Sequence, residues 1–155
     1  FKRQGVLNQT ELHSRFEIKN EIYLKKLQIE SRVIGDLAGN HIIPTAIKYQ
    51  NILIDNIKGI KEIFPEEWEE LAGEEVKTLR LIIDHVNHIR IATEDMIESR
   101  KRWNKLESVV ERAIGYESEV APYMAVIRYH IDKLELIIDD ELWPLPKYRE
   151  LLGTL

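Results

Sequence analysis

The 155-residue chain contains no cysteine, which excludes disulfide bonds, thiolate-bound metal sites and cysteine nucleophiles within it. Glycine and proline are scarce, at 7 and 5 residues, so long stretches run without the residues that most often interrupt a helix. No apolar run approaches the roughly 18 residues that a membrane-spanning helix needs, so we expect no membrane partner. The formal net charge of −5 also disfavours a nucleic-acid partner, because nucleic-acid-binding proteins must neutralise phosphates.

The middle of the chain carries the clearest helical pattern. Its apolar side chains recur at alternating steps of three and four, which places them on one face of a helix. Pro65 and the glutamates after it suit a helix start, while the basic cluster after residue 100 suits a helix end. A helix is therefore predicted over about 66–103. Its buried face consists of Leu79, Ile82, Val86, Ile89, Thr93, Met96, Arg100 and Trp103.

Two further helical segments are predicted, over about 12–63 and 105–140. We expect Pro44 to kink the first and Pro122 to kink the third, because proline removes a backbone donor and crowds the preceding turn. Turns near Phe64 and near residues 103–104 then fold the three segments into an elongated antiparallel bundle, an all-α single domain spanning 1–155. Phe1 stands where an initiator methionine is expected, so we interpret the chain as part of a longer protein.

The C-terminal tail, 143–155, is predicted to form a proline-rich strap. Pro144 and Pro146 restrict the residues before them to extended backbone, and 147–152 can form a final helical turn. The strap could pack on its own bundle or lie across another surface. The acidic run 139–141 precedes it at a helix C-terminus, where carboxylates are unfavourable, so we expect a cationic partner there.

The first segment carries two apolar stripes, a pattern typical of a helix that contacts two partners. In addition, Ser31, Gly35 and Gly39 recur at every fourth residue and predict a ridge where another backbone can approach closely. One stripe consists of Phe16, Tyr23, Leu27, Ile34, Leu37 and His41, and the other of Ile18, Ile22, Ile29 and Val33.

No candidate catalytic, cofactor-binding or metal-binding residue emerges from the sequence. Phosphate-binding glycine loops, nucleophile elbows and zinc-protease motifs are absent. A di-iron bundle would need Glu-x-x-His pairs, and none of the five histidines has a glutamate three residues before it. His85 and His88 could share a helical face and hold a metal, but we interpret them as solvated or salt-bridged surface residues. For His41 we expect a buried ring that satisfies the carbonyl freed by Pro44, with a proton donor at an interface as the alternative.

Several longer strings resemble the C-terminal region of type III glutamine synthetases. They occur in the right order and bracket most of the chain, while the resemblance is weakest between 66 and 112. The strings are IESRVIGDLA at 29–38, NHIIPTAI at 40–47, YQN at 49–51, RYHIDKLE at 128–135 and DDELWPLPKYRELL at 139–152.

The resemblance implies a cytoplasmic enzyme that ligates ammonia to L-glutamate at the expense of ATP, with magnesium or manganese. It also implies that this segment is a helical structural or assembly domain with no active site, whose partners are the catalytic domain and neighbouring subunits of a homo-oligomer. A free-standing helical interaction module remains the alternative, and a metal-carboxylate helical enzyme is a third possibility. The candidate interface residues are Ser31, Gly35, Asn40, His41, Arg128, His130, Trp143, Pro144 and Tyr148.

Overall fold

The computed structural model describes residues 9–147, 150 and 153, and these residues form helices without any β-strand. The predicted all-α class is therefore confirmed. Two π-helical turns, Ala38–Ile42 and Tyr116–Val120, interrupt the α-helices. The α-helices are α1 (Gln9–Leu37), α2 (Ile43–Ile63), α3 (Trp68–Leu71), α4 (Gly73–Trp103), α5 (Val109–Gly115) and α6 (Ala121–Ile137).

Three helical segments pack side by side in alternating directions. The first comprises α1 and α2, the second is α4, and the third comprises α5 and α6. In each contacting pair of segments, residues nearer the end of one segment contact residues nearer the start of the other, as antiparallel packing requires. The pairs that show this are Gln28 with Asn104, Gly35 with Met96, Ser99 with Glu119 and His85 with His130.

The core lies along α4, as the apolar spacing of the middle segment predicted. Ile82, Ile89 and Met96 have no exposed surface, and Val86 is almost as deeply buried. These side chains recur every three or four residues, so they stay on one face over the length of the helix. The partner side chains that bury them include Leu24, Leu27, Ile42, Leu53, Tyr116, Val120, Ile127 and Leu134.

The predicted helix boundaries of the second and third segments were partly wrong. The second segment begins with the single-turn α3 and is broken at Ala72, so its continuous part starts at Gly73 and ends, as predicted, at Trp103. The third begins at Val109 instead of 105, because Ser108 caps it: the Ser108 hydroxyl accepts a hydrogen bond from the Glu111 backbone N–H. Ser-x-x-Glu is a capping-box spacing that predicts such a start.

Each π-helical turn is separated from a following proline by one residue. Ile43 and Ala121 donate their backbone N–H groups to carbonyls five residues earlier, on Ala38 and Tyr116, and Pro44 and Pro122 follow at once. A π turn inserts an extra residue and widens the helix, which relieves the clash that proline makes with the preceding turn. The α-helical hydrogen-bond pattern is thus disrupted one turn before the residues predicted to kink it, while the kinks themselves stay predictions.

On α1 the buried face differs from the predicted stripes. Leu24, Leu27 and Ser31 are buried, whereas Phe16 and Tyr23 are exposed by 55% and 41%. The predicted stripe was wrong at these two positions. Every described side chain from 11 to 19 is exposed, so the start of α1 around Phe16 is not covered, and Tyr23 lies outside the buried face that begins at Leu24. Of the small-residue ridge, Ser31 is fully buried and a Cβ added to Gly35 would meet the Met96 side chain at 3.3 Å, whereas one added to Gly39 would meet nothing within 4 Å. The close approach of another backbone stays a prediction.

Candidate functional site

The junction between α4 and the second π turn is organised by one carboxylate. Glu119 Oε2 accepts hydrogen bonds from the Ser99 hydroxyl and from the Trp103 indole N–H, both at 3.0 Å. It also forms an ion pair with Arg102. The Trp103 hydrogen bond, followed by those from Ser99 and Arg102, holds the pKa of Glu119 below its ordinary value of 4.5. A carboxylate held ionised by three donors locks two helices together and is not suited to accept a proton in a reaction at neutral pH.

The Trp103 ring also lies directly against Gly115. A Cβ added to Gly115 would lie 2.0 Å from a ring carbon, closer than any real side chain approaches. At the next residue, Asn104 Oδ1 accepts hydrogen bonds from the Tyr116 hydroxyl at 2.9 Å and from the Gln28 side-chain amide at 3.1 Å. These contacts join all three helical segments at one end of the bundle, and their role is structural.

Lys147 anchors the start of the C-terminal strap. Its side chain is buried, and its ammonium group donates to the carbonyls of Glu135 and Ile138, at 2.8 Å and 3.2 Å, and pairs with Asp140. All three ammonium donors are therefore satisfied, and the positive charge lies at the C-terminus of α6, where the helix dipole favours it. The expected cationic partner of the acidic run is confirmed, and it comes from the strap itself.

A cluster of three histidines joins α4 to α6. His85 Nδ1 and His130 Nδ1 are 2.9 Å apart, and the His88 ring stacks on the His130 ring with centroids separated by 4.6 Å. His85 and His130 are half-buried, so the interpretation of His85 as a solvated surface residue was wrong, while His88 is exposed. Burial lowers the pKa of both His85 and His130 below the ordinary value of 6.5. Spacing alone could not find this cluster, because its third member lies on another helix.

The structure divides the candidate interface residues into two groups. Ser31 is fully buried and Trp143 nearly so, both within the chain's own bundle, and Gly35 contacts Met96. By contrast, four candidates are exposed, His130 is half-buried, and one lies outside the described residues. The exposed ones are Asn40, His41, Arg128 and Pro144, and the one outside is Tyr148.

The expectation of a buried His41 was wrong, because its ring is exposed. It had been expected to satisfy a carbonyl freed by Pro44. The π turn before that proline reorganises the backbone hydrogen bonds instead. A side chain at this position is therefore available to solvent or to a partner.

The outer face of α1 presents four exposed apolar side chains. Ile22 and Ile29 are exposed by 63% and 64%, and Ile18 and Val33 by 55% and 50%. We call these four residues the α1 outer stripe. They are the second apolar stripe of the sequence, and the three-segment bundle does not cover them. Contiguous exposed apolar side chains on a folded helix mark a surface that another protein surface can cover.

Within the described part of the chain, no group of three or more histidine, aspartate or glutamate side chains is arranged to hold a metal ion. The helices described there also include none that is long and apolar enough to cross a membrane. The described residues thus present exposed surface, together with the hydrogen bonds and ion pairs of Glu119, Asn104 and Lys147 that hold the helices in register.

Comparison with known proteins gives a consistent assignment. Residues 1–61 match the family model of the glutamine synthetase C-terminal domain. Over 152 residues, 97% of the chain, it is 52% identical to a glutamine synthetase of Bacteroides fragilis (strain YCH46). It is 28% identical over 153 residues, 98% of its length, to a type-3 glutamine synthetase of Dictyostelium discoideum. A glutamine synthetase of Butyrivibrio fibrisolvens is 26% identical over all 155 residues.

The matches cover only part of these relatives. The chain spans 21% of the length of the first two relatives and 22% of the third. Nearly the whole chain is aligned in each case, including the stretch between 66 and 112 where the resemblance was weakest. Residues 1–61 therefore belong to the glutamine synthetase C-terminal domain family, and nearly the whole chain is similar to part of these glutamine synthetases, one of which is a type-3 enzyme.

Proposed function

We propose that this chain is the helical structural and assembly domain of an ATP-dependent glutamate–ammonia ligase and has no active site of its own. The relatives it matches are glutamine synthetases about five times as long, so most of their length lies outside this segment. Within the segment, the polar groups with the most contacts hold helices together and do not converge on a cavity. The parent protein is proposed to be cytoplasmic and homo-oligomeric.

The observation that carries this proposal is the α1 outer stripe. An isoleucine side chain left in water forgoes roughly 1.5–3 kcal/mol of burial free energy, so four neighbouring exposed positions favour a covered state. We propose that the catalytic domain, of the same chain or of a neighbouring subunit, covers them, because some four fifths of the length of the relatives lies outside this segment. Neighbouring subunits then contact the exposed interface candidates Asn40, His41, Arg128 and Pro144.

ATP and magnesium or manganese, which the ligase reaction requires, are proposed to bind elsewhere in the parent chain. Among the described residues, no cluster of three or more metal-ligating side chains is arranged to hold the metal ion. In this proposal the chemistry belongs to the rest of the parent enzyme, and this segment contributes to its assembly.

Charging the α1 outer stripe is expected to impair assembly while leaving the fold of the segment intact. In the full-length parent enzyme, Ile22→Glu combined with Ile29→Glu would bury two carboxylates at the interface. We expect at least a tenfold increase in the dissociated fraction, a change of about 1.4 kcal/mol or more, measured by light scattering on a sizing column. The same double variant of the 155-residue chain should keep its helix content.

The matched control places two glutamates on apolar positions that are at least as exposed. Leu136 and Ile63 are exposed by 81% and 71%, on α6 and α2. The Leu136→Glu and Ile63→Glu double variant should assemble normally. Normal assembly of the α1 variant would contradict the proposal that its outer stripe contributes to contacts between subunits.

A further inference from the structure

The three histidines that join α4 and α6 have no part in the proposed assembly role. We call His85, His88 and His130 the histidine clasp. It lies beside the buried seam of α4, one residue before Val86 and one before Ile89, and three residues after Ile127 on α6. The pair of helices that it joins forms the most extensive interhelical contact of the described structure. A change in the clasp therefore acts directly on the core.

The geometry of the clasp requires a shared proton. Two imidazole nitrogens 2.9 Å apart attract each other only when one carries a proton and the other is an acceptor. When both rings are neutral, tautomerism allows this arrangement. When both are charged, each Nδ1 carries a proton and neither can accept. The hydrogen bond is then replaced by repulsion between two cations.

The His88 ring also limits how many of the three rings can be charged at once. His88 stacks almost parallel on His130, at an interplanar angle of 15°, and its Nδ1 lies 2.9 Å from the Asp84 carbonyl oxygen. A proton on His88 Nδ1 satisfies that carbonyl, and a second proton on the ring places a cation face to face with His130. Stacked rings tolerate one charge between them far better than two.

The charges that act on the pair come from both helices. On α4, the Asp84 carboxylate favours protonation of His85 and His130, while a charged His88 opposes it. On α6, Lys133 opposes protonation of His85, and Tyr129 presents its ring edge to His130 at a centroid distance of 5.1 Å. Only the Asp84 carboxylate favours protonation of the pair, whereas His88, Lys133 and a charged partner ring disfavour it. One carboxylate is too little to stabilise a fully protonated cluster.

We propose that the histidine clasp is an acid-sensitive device that holds α4 against α6 at neutral pH and releases that contact on protonation. Burial keeps the pKa of His85 and His130 below 6.5, so the unfolded chain takes up more protons than the folded chain as the pH falls. The contribution of the neutral clasp to the free energy of unfolding is therefore fully present above about pH 6.5 and is lost as the pH falls below that value. The release operates on the packing of the helical body and needs no ligand.

The test compares thermal unfolding of the 155-residue chain at about pH 7.5 and about pH 5.5. Glu21, Glu98 and Glu119 have pKa values below 4.5, so these carboxylates stay ionised over that window. His130→Gln keeps a hydrogen-bonding side chain and removes the titration. We expect the wild-type Tm to fall by at least about 3 °C more than that of the variant. His41→Gln, on an exposed histidine, should behave as the wild type.

A direct measurement covers the case in which His130→Gln does not fold. Side-chain nitrogen NMR of the wild-type chain is expected to show His85 and His130 titrating below 6.5, with one proton held between their Nδ1 atoms at neutral pH. Independent titration of both rings at 6.5 or above would overturn the proposal. So would an equal fall of Tm in wild type and His130→Gln.

Discussion

Replacing Ile89 with alanine is expected to lower the free energy of unfolding by about 2–5 kcal/mol. Ile89 lies in the middle of α4 and has no exposed surface, so its side chain fills space that no water enters. The substitution removes the transfer free energy of the lost methyl and methylene groups and leaves a cavity that the rigid helices close only in part. Alanine is the better helix former, so the intrinsic propensity change works against the loss and does not cause it.

The measurement is urea unfolding followed by far-ultraviolet circular dichroism, with the m-value unchanged from wild type. Ile91→Ala is the matched control, since Ile91 lies two residues later on the same helix and is 60% exposed. We expect the control to change stability by less than about 0.5 kcal/mol. A similarly small effect of Ile89→Ala would mean that the buried face of α4 has been assigned to the wrong residues.

The second large effect is expected at Gly115. Alanine there would place a methyl group 2.0 Å from the Trp103 ring, a rigid fused system that has no flexible end to swing aside. The ring must move, and its movement breaks the hydrogen bond from the indole N–H to Glu119. Forcing extra volume into such a packed site costs about 1–3 kcal/mol and occasionally more. We expect Gly115→Ala to lie at the upper end, about 3 kcal/mol.

Gly39→Ala is the control for this substitution. Gly39 also lies in an interrupted part of a long helical segment, but an added methyl group meets nothing within 4 Å. Because glycine is the poorer helix former, Gly39→Ala should stabilise the chain by about 0.5–1 kcal/mol. Opposite signs for the two glycines in thermal unfolding would support the packing account. Equal and small effects would show that Trp103 does not lie against Gly115.

The fold was predictable because its strongest determinant, the three- and four-residue spacing of apolar side chains, is local. Ile82, Val86, Ile89 and Met96 gave the buried face of α4 without reference to any partner. Local chemistry also carried the helix start at Ser108, although its capping-box spacing was not recognised. The π turns were harder to predict, because a proline indicates that the helix is disrupted but does not show where the extra residue is placed.

Features that depend on how helices meet could not be derived from spacing. The histidine clasp needs residues 45 positions apart, and the close contact of Gly115 with Trp103 depends on the turn between α4 and α5. The exposed Phe16 was predicted as core because an isolated pattern does not show where a partner helix ends. His41 was placed in the core because the regular α-helical spacing was continued through the π turn, and the structure leaves it in solvent.

The account depends most on the claim that this segment supports a ligase without performing the ligation. The direct measurement is glutamine formation coupled to ATP hydrolysis, with glutamate, ammonia and magnesium or manganese, by the 155-residue chain and by the full-length parent enzyme. We predict turnover by the parent enzyme and none by the chain alone at equal molar concentration. Glutamine formation by the isolated chain would contradict the account.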